Sequence, residues 1–490
     1  MFRRSHSYFL YLASGIAGRA AMLAVLIVMT RFLGAAEYGL FALVVTTGEI
    51  MDMIASNWIR IRFLRDEAGR RRIGAVRLGR MLILLAAMTF TACLAAIAIS
   101  FVVSAPRAAP FALSTAAYIT AFAMLRLCLT LMQQQRNHYG FASVELTRAI
   151  LAPALAIGAA AATQSYFAAS LAWSLATGLC ATAGVAYLLR TQVRPRLARR
   201  GYARALAFGA PVSAVIVLSY SLGWYDRFIL DQISGPAAVG VYAAAFALAR
   251  QPVSLFLNAM NTYTFPRLAE TYASSGSPGT AMAQSGLMVS MTGLGVPIAG
   301  GLIALSEPLA ELILPPELAL QAGQIIPVIA AGTLLINLKL FVFDNSFYVT
   351  QKTGLLIGYM IPVALTGLGA SISLIWLYGL HGAAAAYLLS GTIALIASIA
   401  VSRKALPFPI LGKRIAGIIA AAVTASAAAY MVSSYASAAG PLVSLVSGGT
   451  ALVAVYLIAL AAMRFPLLGA LTEPWTVYGK PVETSGGPAS

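Results

Sequence analysis

The stretch LGAAEYGLFA, from Leu33 to Ala42, returns 201 residues later as SGPAAVGVYA, from Ser234 to Ala243. Gly34 aligns with Gly235, Gly39 with Gly240, and Phe41 with Tyr242. Each copy lies between two apolar runs, and each follows an odd-numbered run, counting from the start of the chain. Two copies in the same sense relative to a membrane mark a parallel duplication about an axis along the membrane normal. The repeat therefore predicts two similar helical halves.

Outward from these two junctions, fourteen runs of about 20 apolar residues are visible, each long enough to cross about 30 Å of hydrocarbon. They fall near 8–30, 38–59, 81–103, 111–132, 143–162, 166–189, 205–225, 237–260, 284–305, 322–344, 354–376, 382–402, 415–435 and 442–463. The expected fold is an all-α polytopic membrane protein of about 14 transmembrane helices. Its parts are a six-helix lobe at 1–200, a second at 201–405, a closing pair at 406–464 and a cytoplasmic tail at 465–490. Composition agrees: 60% of the 490 residues are hydrophobic and 10% charged, with a mean hydropathy of +0.84. A water-soluble domain is about 45–50% apolar and about 25% charged.

The net charge of +18 would suggest nucleic acid in a soluble chain, but here topology accounts for it. With the N-terminus inside, 25 of the 33 Lys and Arg fall in inside connections, three (Arg31, Arg107, Arg227) in outside ones, and five within spans. That asymmetry is the positive-inside pattern. With an even number of spans it predicts two cytoplasmic termini, and it leaves no reason to invoke nucleic acid. The first run extends past Met29, contains Arg19 and flows into a second span, so an uncleaved first helix is expected. Cys93, Cys128 and Cys180 each sit in apolar runs, and the three histidines are dispersed, so neither a disulfide framework nor a metal site is expected. No connection exceeds about 25 residues, which leaves no room for a soluble catalytic domain.

Ionisable groups inside spans cost about 2.5–3.5 kcal/mol on insertion scales, so they face a partner or a wet cavity. At 1.5 Å per residue, Arg19 lies about 16 Å into the first span, Arg126 about 22 Å from the outer end of the fourth, and Arg250 about 20 Å into the eighth. Lys339 on the tenth is deeper and is expected either to line the cavity or to snorkel to the cytoplasmic face. Arginine's planar fork suits phosphate oxygens, so these four cations are candidate ligands for an anionic headgroup; the competing reading is that each pairs with a buried carboxylate. Glu49 and Asp52, three residues apart, share a helix face. They are candidates for coupling to a proton or sodium ion, or counter-charges for Arg19. Glu145 and Arg148, at the same spacing, read as an intrahelical pair. Pro153, Pro211, Pro252, Pro297, Pro327 and Pro362 predict bends.

The run TRFLGAAEYGLFAL (Thr30–Leu43) resembles the signature between the first two helices of bacterial polysaccharide flippases, the Wzx-type members of the MATE-like MOP superfamily. Arg31, Leu33, Gly34, Tyr38, Gly39 and Phe41 fit its usual form. DRFILDQISGPAAVGVYAAAFALA (Asp226–Ala249) resembles the second-lobe signature, with Asp226, Arg227, Gly235, Gly240, Tyr242 and Ala245 in place. TFPRLAE around Pro266 and YGLHGAAAAYLLS (Tyr378–Ser390) also fit, so the resemblance spans the chain in order. It departs at Asp52-Met53-Ile54, where the family often has Asp-x-Gly.

The resemblance implies a two-lobed transporter without cofactor, using a proton, sodium or membrane potential. It would move an undecaprenyl-diphosphate-linked oligosaccharide across the bacterial inner membrane for O-antigen, exopolysaccharide or capsule synthesis, alongside a polymerase and a chain-length regulator. The same residues also have a structural reading: Gly34 and Gly39 flank a turn, Tyr38 suits the interfacial belt, and Asp226 with Arg227 makes an ion pair or cap. Two other functions compete with transport of such a lipid. A multidrug exporter of the same superfamily would favour carboxylates over cations in its cavity. A membrane glycosyltransferase or polymerase would use outer-face carboxylates, for which only Glu37 in the first outer loop and Glu307, Glu311 and Glu317 in a later one are available.

Overall fold

The computed structural model describes residues 25, 27–66, 74–103, 108–135, 137–191, 196, 223–463 and scattered positions from 202 to 218. Among these the regular structure is entirely helical. Helices α1 (Ala35–Asp66), α2 (Ala75–Val103), α3 (Ala108–Gln134), α4 (His138–Thr163) and α5 (Tyr166–Thr191) are followed by α6 (Tyr225–Ala304), α7 (Ser306–Ile313) and α8 (Pro316–Leu338). After a π-helical turn at Lys339–Phe343 come α9 (Asn345–Val349), α10 (Thr353–Ala405), α11 (Gly412–Tyr435) and α12 (Pro441–Ala462).

Among the described residues, ten helices are long and apolar enough to cross a membrane. Two of them contain two sequence spans each. α6 has 80 residues and α10 has 53, or about 120 and 80 Å at 1.5 Å per residue, several times what one crossing needs. The first and seventh spans fall largely outside the described residues, as do Arg19 and the tail after Met463.

The long helices break at glycines rather than at the prolines. φ is +80° at Gly235, +63° at Gly276 and +55° at Gly379, a region that residues with a Cβ enter only with strain. Helix continues through Pro153, Pro327 and Pro362. Proline's lost hydrogen bond is tolerable in a packed bundle where neighbours satisfy the freed carbonyl, whereas a left-handed residue reverses the chain's course.

The chain divides into two compact units, Met1–Ala244 and Ala245–Ser490. In the first, α3 packs against α1, α2 and α5, and α5 also packs on α4. The α4 face that enters the bundle is nearly all alanine, with Ala149, Ala152, Ala156 and Ala160 buried, while Ile150 and Leu155 point outward and are exposed. Small residues inside and large apolar residues outside is the pattern for helices in lipid, where association relies on close backbone approach. Phe90, Phe101, Trp376 and Ile458 are likewise exposed. In the second unit, α8 packs on α7 and α10, and α11 pairs with α12, which also reaches α7. The Tyr456 hydroxyl on α12 donates to the Gly293 carbonyl at 2.7 Å. That bond ties the last helix to α6.

Candidate functional site

α1 carries Glu49, Asp52, Ser56 and Arg60 at intervals of three and four, so the four form one stripe. On α3 the facing stripe is Tyr118, Phe122 and Arg126. Gly48 permits the approach, because a Cβ there would overlap the Tyr118 ring. Tyr118 stacks on Phe122 with centroids 4.2 Å apart.

At the foot of this column Asp52 is 1% exposed. Its Oδ2 lies 2.6 Å from Arg126 Nη1 and 3.9 Å from Arg60 Nη2, and its Oδ1 accepts from Ser56 Oγ at 2.5 Å. Asp52 therefore pairs with Arg126, one helix away; Arg19, the partner considered from sequence, lies outside the described residues. Arg126's side chain stays 22% exposed, and of a guanidinium's five donors the ion pair engages Nη1. Glu145 and Arg148 form the expected intrahelical pair at 2.5 Å, with Arg148 lying 5.9 Å from the Phe122 centroid. Glu49 is half-buried.

The two signature stretches meet. A Cβ on Gly39 would collide with the Pro236 carbonyl oxygen, and one on Gly240 with the Ala35 carbonyl oxygen. The contact is reciprocal, since Ala35 and Pro236 are equivalent at the 201-residue offset: the same glycine of each copy admits the backbone of the other. A methyl group placed on Gly34 or Gly235 would meet nothing within 4 Å; of the two, only Gly235, with φ at +80°, holds a backbone conformation that favours glycine. Tyr38 is 0% exposed, so its ring is packed within the protein. Asp226, 1% exposed, accepts from the Tyr242 hydroxyl at 3.3 Å, and Arg227 donates to Thr46 Oγ1 on α1. Arg31 is exposed. Glu37 accepts from the Tyr166 backbone N–H at 2.9 Å, at the N-terminus of α5, where a carboxylate complements the helix dipole.

In the second unit Lys339 turns inward. It is 2% exposed, and its Nζ lies 2.7 Å from Asp344 Oδ2, so it does not snorkel to an aqueous face. Asp344 Oδ1 also accepts from Tyr359 at 2.5 Å and from Ser398 at 2.7 Å. The π turn makes the pairing possible. In an α-helix a partner five residues on is off the face, but here the Asp344 N–H bonds to the Lys339 carbonyl at 2.9 Å, which places i+5 where i+4 would stand. Sequence reasoning overlooked Asp344. The available signal was a lone carboxylate closing an apolar run, five residues after a lone lysine. Arg250 is half-buried, 5.4 Å from the Phe246 centroid, and Phe246 meets Tyr387 edge-on at 5.1 Å.

Among the described residues no group of three or more His, Cys, Asp or Glu is placed to hold a metal. The arrangement instead offers charges enclosed in helical bundles, with a partly open guanidinium at Arg126.

Comparison with known proteins gives the frame for these charges. A family model described as "Polysaccharide biosynthesis protein" matches residues 28–317. No curated protein sequence matches the chain. Among solved structures, the lipid II flippase MurJ in an inward closed conformation superposes with a TM-score of 0.76 at 13% identity, covering 94% of this chain and 99% of that one. The eukaryotic MATE transporter AtDTX14 follows at 0.59 and 11% identity, covering 86% and 99%. Likeness at such identities concerns the fold, while the family model covers more than half of the sequence. The chain is thus a multi-pass membrane protein that shares the fold of MurJ and of a MATE transporter, and it belongs to the polysaccharide biosynthesis protein family.

Proposed function

We propose that the protein is a flippase, carrying undecaprenyl-diphosphate-linked oligosaccharide repeat units from the cytoplasmic to the periplasmic leaflet by alternating access. The setting is the bacterial inner membrane, with both termini cytoplasmic and two six-helix lobes followed by a closing pair of helices. The glycan would serve O-antigen, exopolysaccharide or capsule synthesis, with a polymerase and a chain-length regulator as downstream partners. The observation that carries this reading is Arg126: a guanidinium deep in an apolar bundle, held by buried Asp52 at 2.6 Å yet 22% exposed, in a chain of a polysaccharide biosynthesis family. A fixed guanidinium with spare donors suits a diphosphate. Arg250, also half-buried, is a second candidate ligand, and Arg19 a third. Lys339 is assigned to a buried ion pair with Asp344, and we give Glu49 and Asp52 the role of counter-charge around Arg126. A protein of the same fold is, by its name, a flippase of lipid II.

A second reading, an ion-driven multidrug exporter, draws on the likeness to a MATE transporter and on the enclosed carboxylates Asp52 and Asp344. Proteoliposomes separate the two. The flippase reading expects a fluorescent undecaprenyl-diphosphate oligosaccharide to cross and ethidium to remain. Ethidium efflux driven by a proton or sodium gradient, with no lipid crossing, would move the assignment to the exporter.

A further inference from the structure

Away from the ion pairs, a cleft of about 300 Å³ opens between the C-terminal end of α6, α7, and the facing ends of α11 and α12. Its lining contrasts with the rest of this apolar chain, since serine hydroxyls and carboxylates dominate it and no Lys or Arg is among its described residues. Glu307 and Glu311, four apart on α7, share a face of that helix, and both are exposed. Tyr430 on α11 presents a ring that is 61% exposed. Ser433 and Ser434 follow on the same helix. Opposite them, in the first turn of α12, is Ser444. That residue lines the cleft but is only 2% exposed, and its buried hydroxyl has no hydrogen-bond partner among the described residues.

A buried hydroxyl left unmade is costly, and here it stands beside a cleft wide enough to bring it a partner. The chemistry of that partner follows from the lining. Two adjacent carboxylates accept from vicinal hydroxyls, serines both donate and accept, and the face of a tyrosine ring covers C–H groups. With two carboxylates and no cation among the described lining residues, the cleft disfavours a phosphate. We propose that this cleft is a saccharide subsite, holding sugar rings of the glycan by their hydroxyls. α7 and the turn before α12 both belong to connections that the arginine distribution assigns to the outside, so the subsite would receive the glycan after crossing. In that respect it rests on the flippase reading above.

The test uses the full-length protein in lipid nanodiscs, with saturation-transfer NMR on methyl glycosides of glucose, galactose and N-acetylglucosamine, and ethanolamine as an amine probe. Ring protons of at least one glycoside are expected to saturate. The signal should fall at least fivefold in Ser444→Leu, which fills the cleft, and in Glu307→Gln/Glu311→Gln, whose exposed isosteric changes leave folding intact. Three results would overturn the subsite: no glycoside saturated by wild type, an undiminished signal in the double variant, or saturation of ethanolamine alone. Binding here is read without transport. Glycoside saturation in a protein that flips no lipid-linked oligosaccharide would therefore keep the subsite and sink the flippase, while flipping without saturation would sink the subsite alone.

Discussion

Taking a carboxylate out of water costs several kcal/mol even after relaxation, and a buried pair offsets this only if its geometry is good. Asp52 meets that condition with Arg126 at 2.6 Å and Ser56 at 2.5 Å. Asp344 meets it with Lys339, Tyr359 and Ser398, none farther than 2.7 Å. Removing one partner strands the other, so Lys339→Met is expected to destabilise by about 3–5 kcal/mol. Lys339→Met/Asp344→Asn should recover most of that loss. Thermal unfolding in detergent measures both, and a double variant no more stable than the single one would mean that the pair is not what holds this turn. The residue scale was also the least legible in sequence. Glu49, Asp52, Arg126 and Lys339 stood out because charge inside an apolar run is expensive. Which charges meet depends on helix rotation and on the π turn. Asp344 escaped notice because α-helical spacing puts it off the face of Lys339.

Among elements, the reciprocal contact of the two signature stretches makes a sharp distinction between glycines that look alike in the repeat. Gly39→Ala and Gly240→Ala each drive a Cβ into backbone carbonyl oxygen, an overpacking that costs about 1–3 kcal/mol or more because backbone yields poorly. Gly34→Ala, with open space around it, should be near neutral. Purified yield and melting temperature report the difference, and equal behaviour of all three would show that the two stretches do not meet this closely. The repeat itself was readable from spacing, since Gly34, Gly39 and Phe41 recur at one offset. Its consequence was not: that Gly39 and Gly240 each admit the backbone of the other copy shows only in the packing. The prolines, expected to bend helices, do not end them. Pro327 and Pro362 lie within continuous helix, whereas Gly379, unmarked in the sequence reading, carries the break.

At the scale of the whole molecule, the run of apolar spans and the asymmetry of Lys and Arg are the most legible features, because both follow from transfer free energies summed over many residues. They make a topology that can be checked directly. In a background with Cys93, Cys128 and Cys180 replaced by alanine, Ser437→Cys should react with an impermeant maleimide in spheroplasts. Gly74→Cys should react only after permeabilisation. The opposite pattern would invert the chain and with it the proposed direction of transport.

The central claim is that a guanidinium held inside the first unit grips the diphosphate of a lipid-linked glycan. Its most direct test is the rate at which undecaprenyl-diphosphate oligosaccharide crosses the bilayer of proteoliposomes carrying equal amounts of folded wild type, Arg126→Ala or Arg126→Lys. Losing a charge-assisted hydrogen bond of about 1.5–3 kcal/mol predicts a rate about 10- to 100-fold lower for Arg126→Ala. Arg126→Lys should be intermediate, keeping the charge without the fork. Crossing at the wild-type rate in Arg126→Ala would contradict the account.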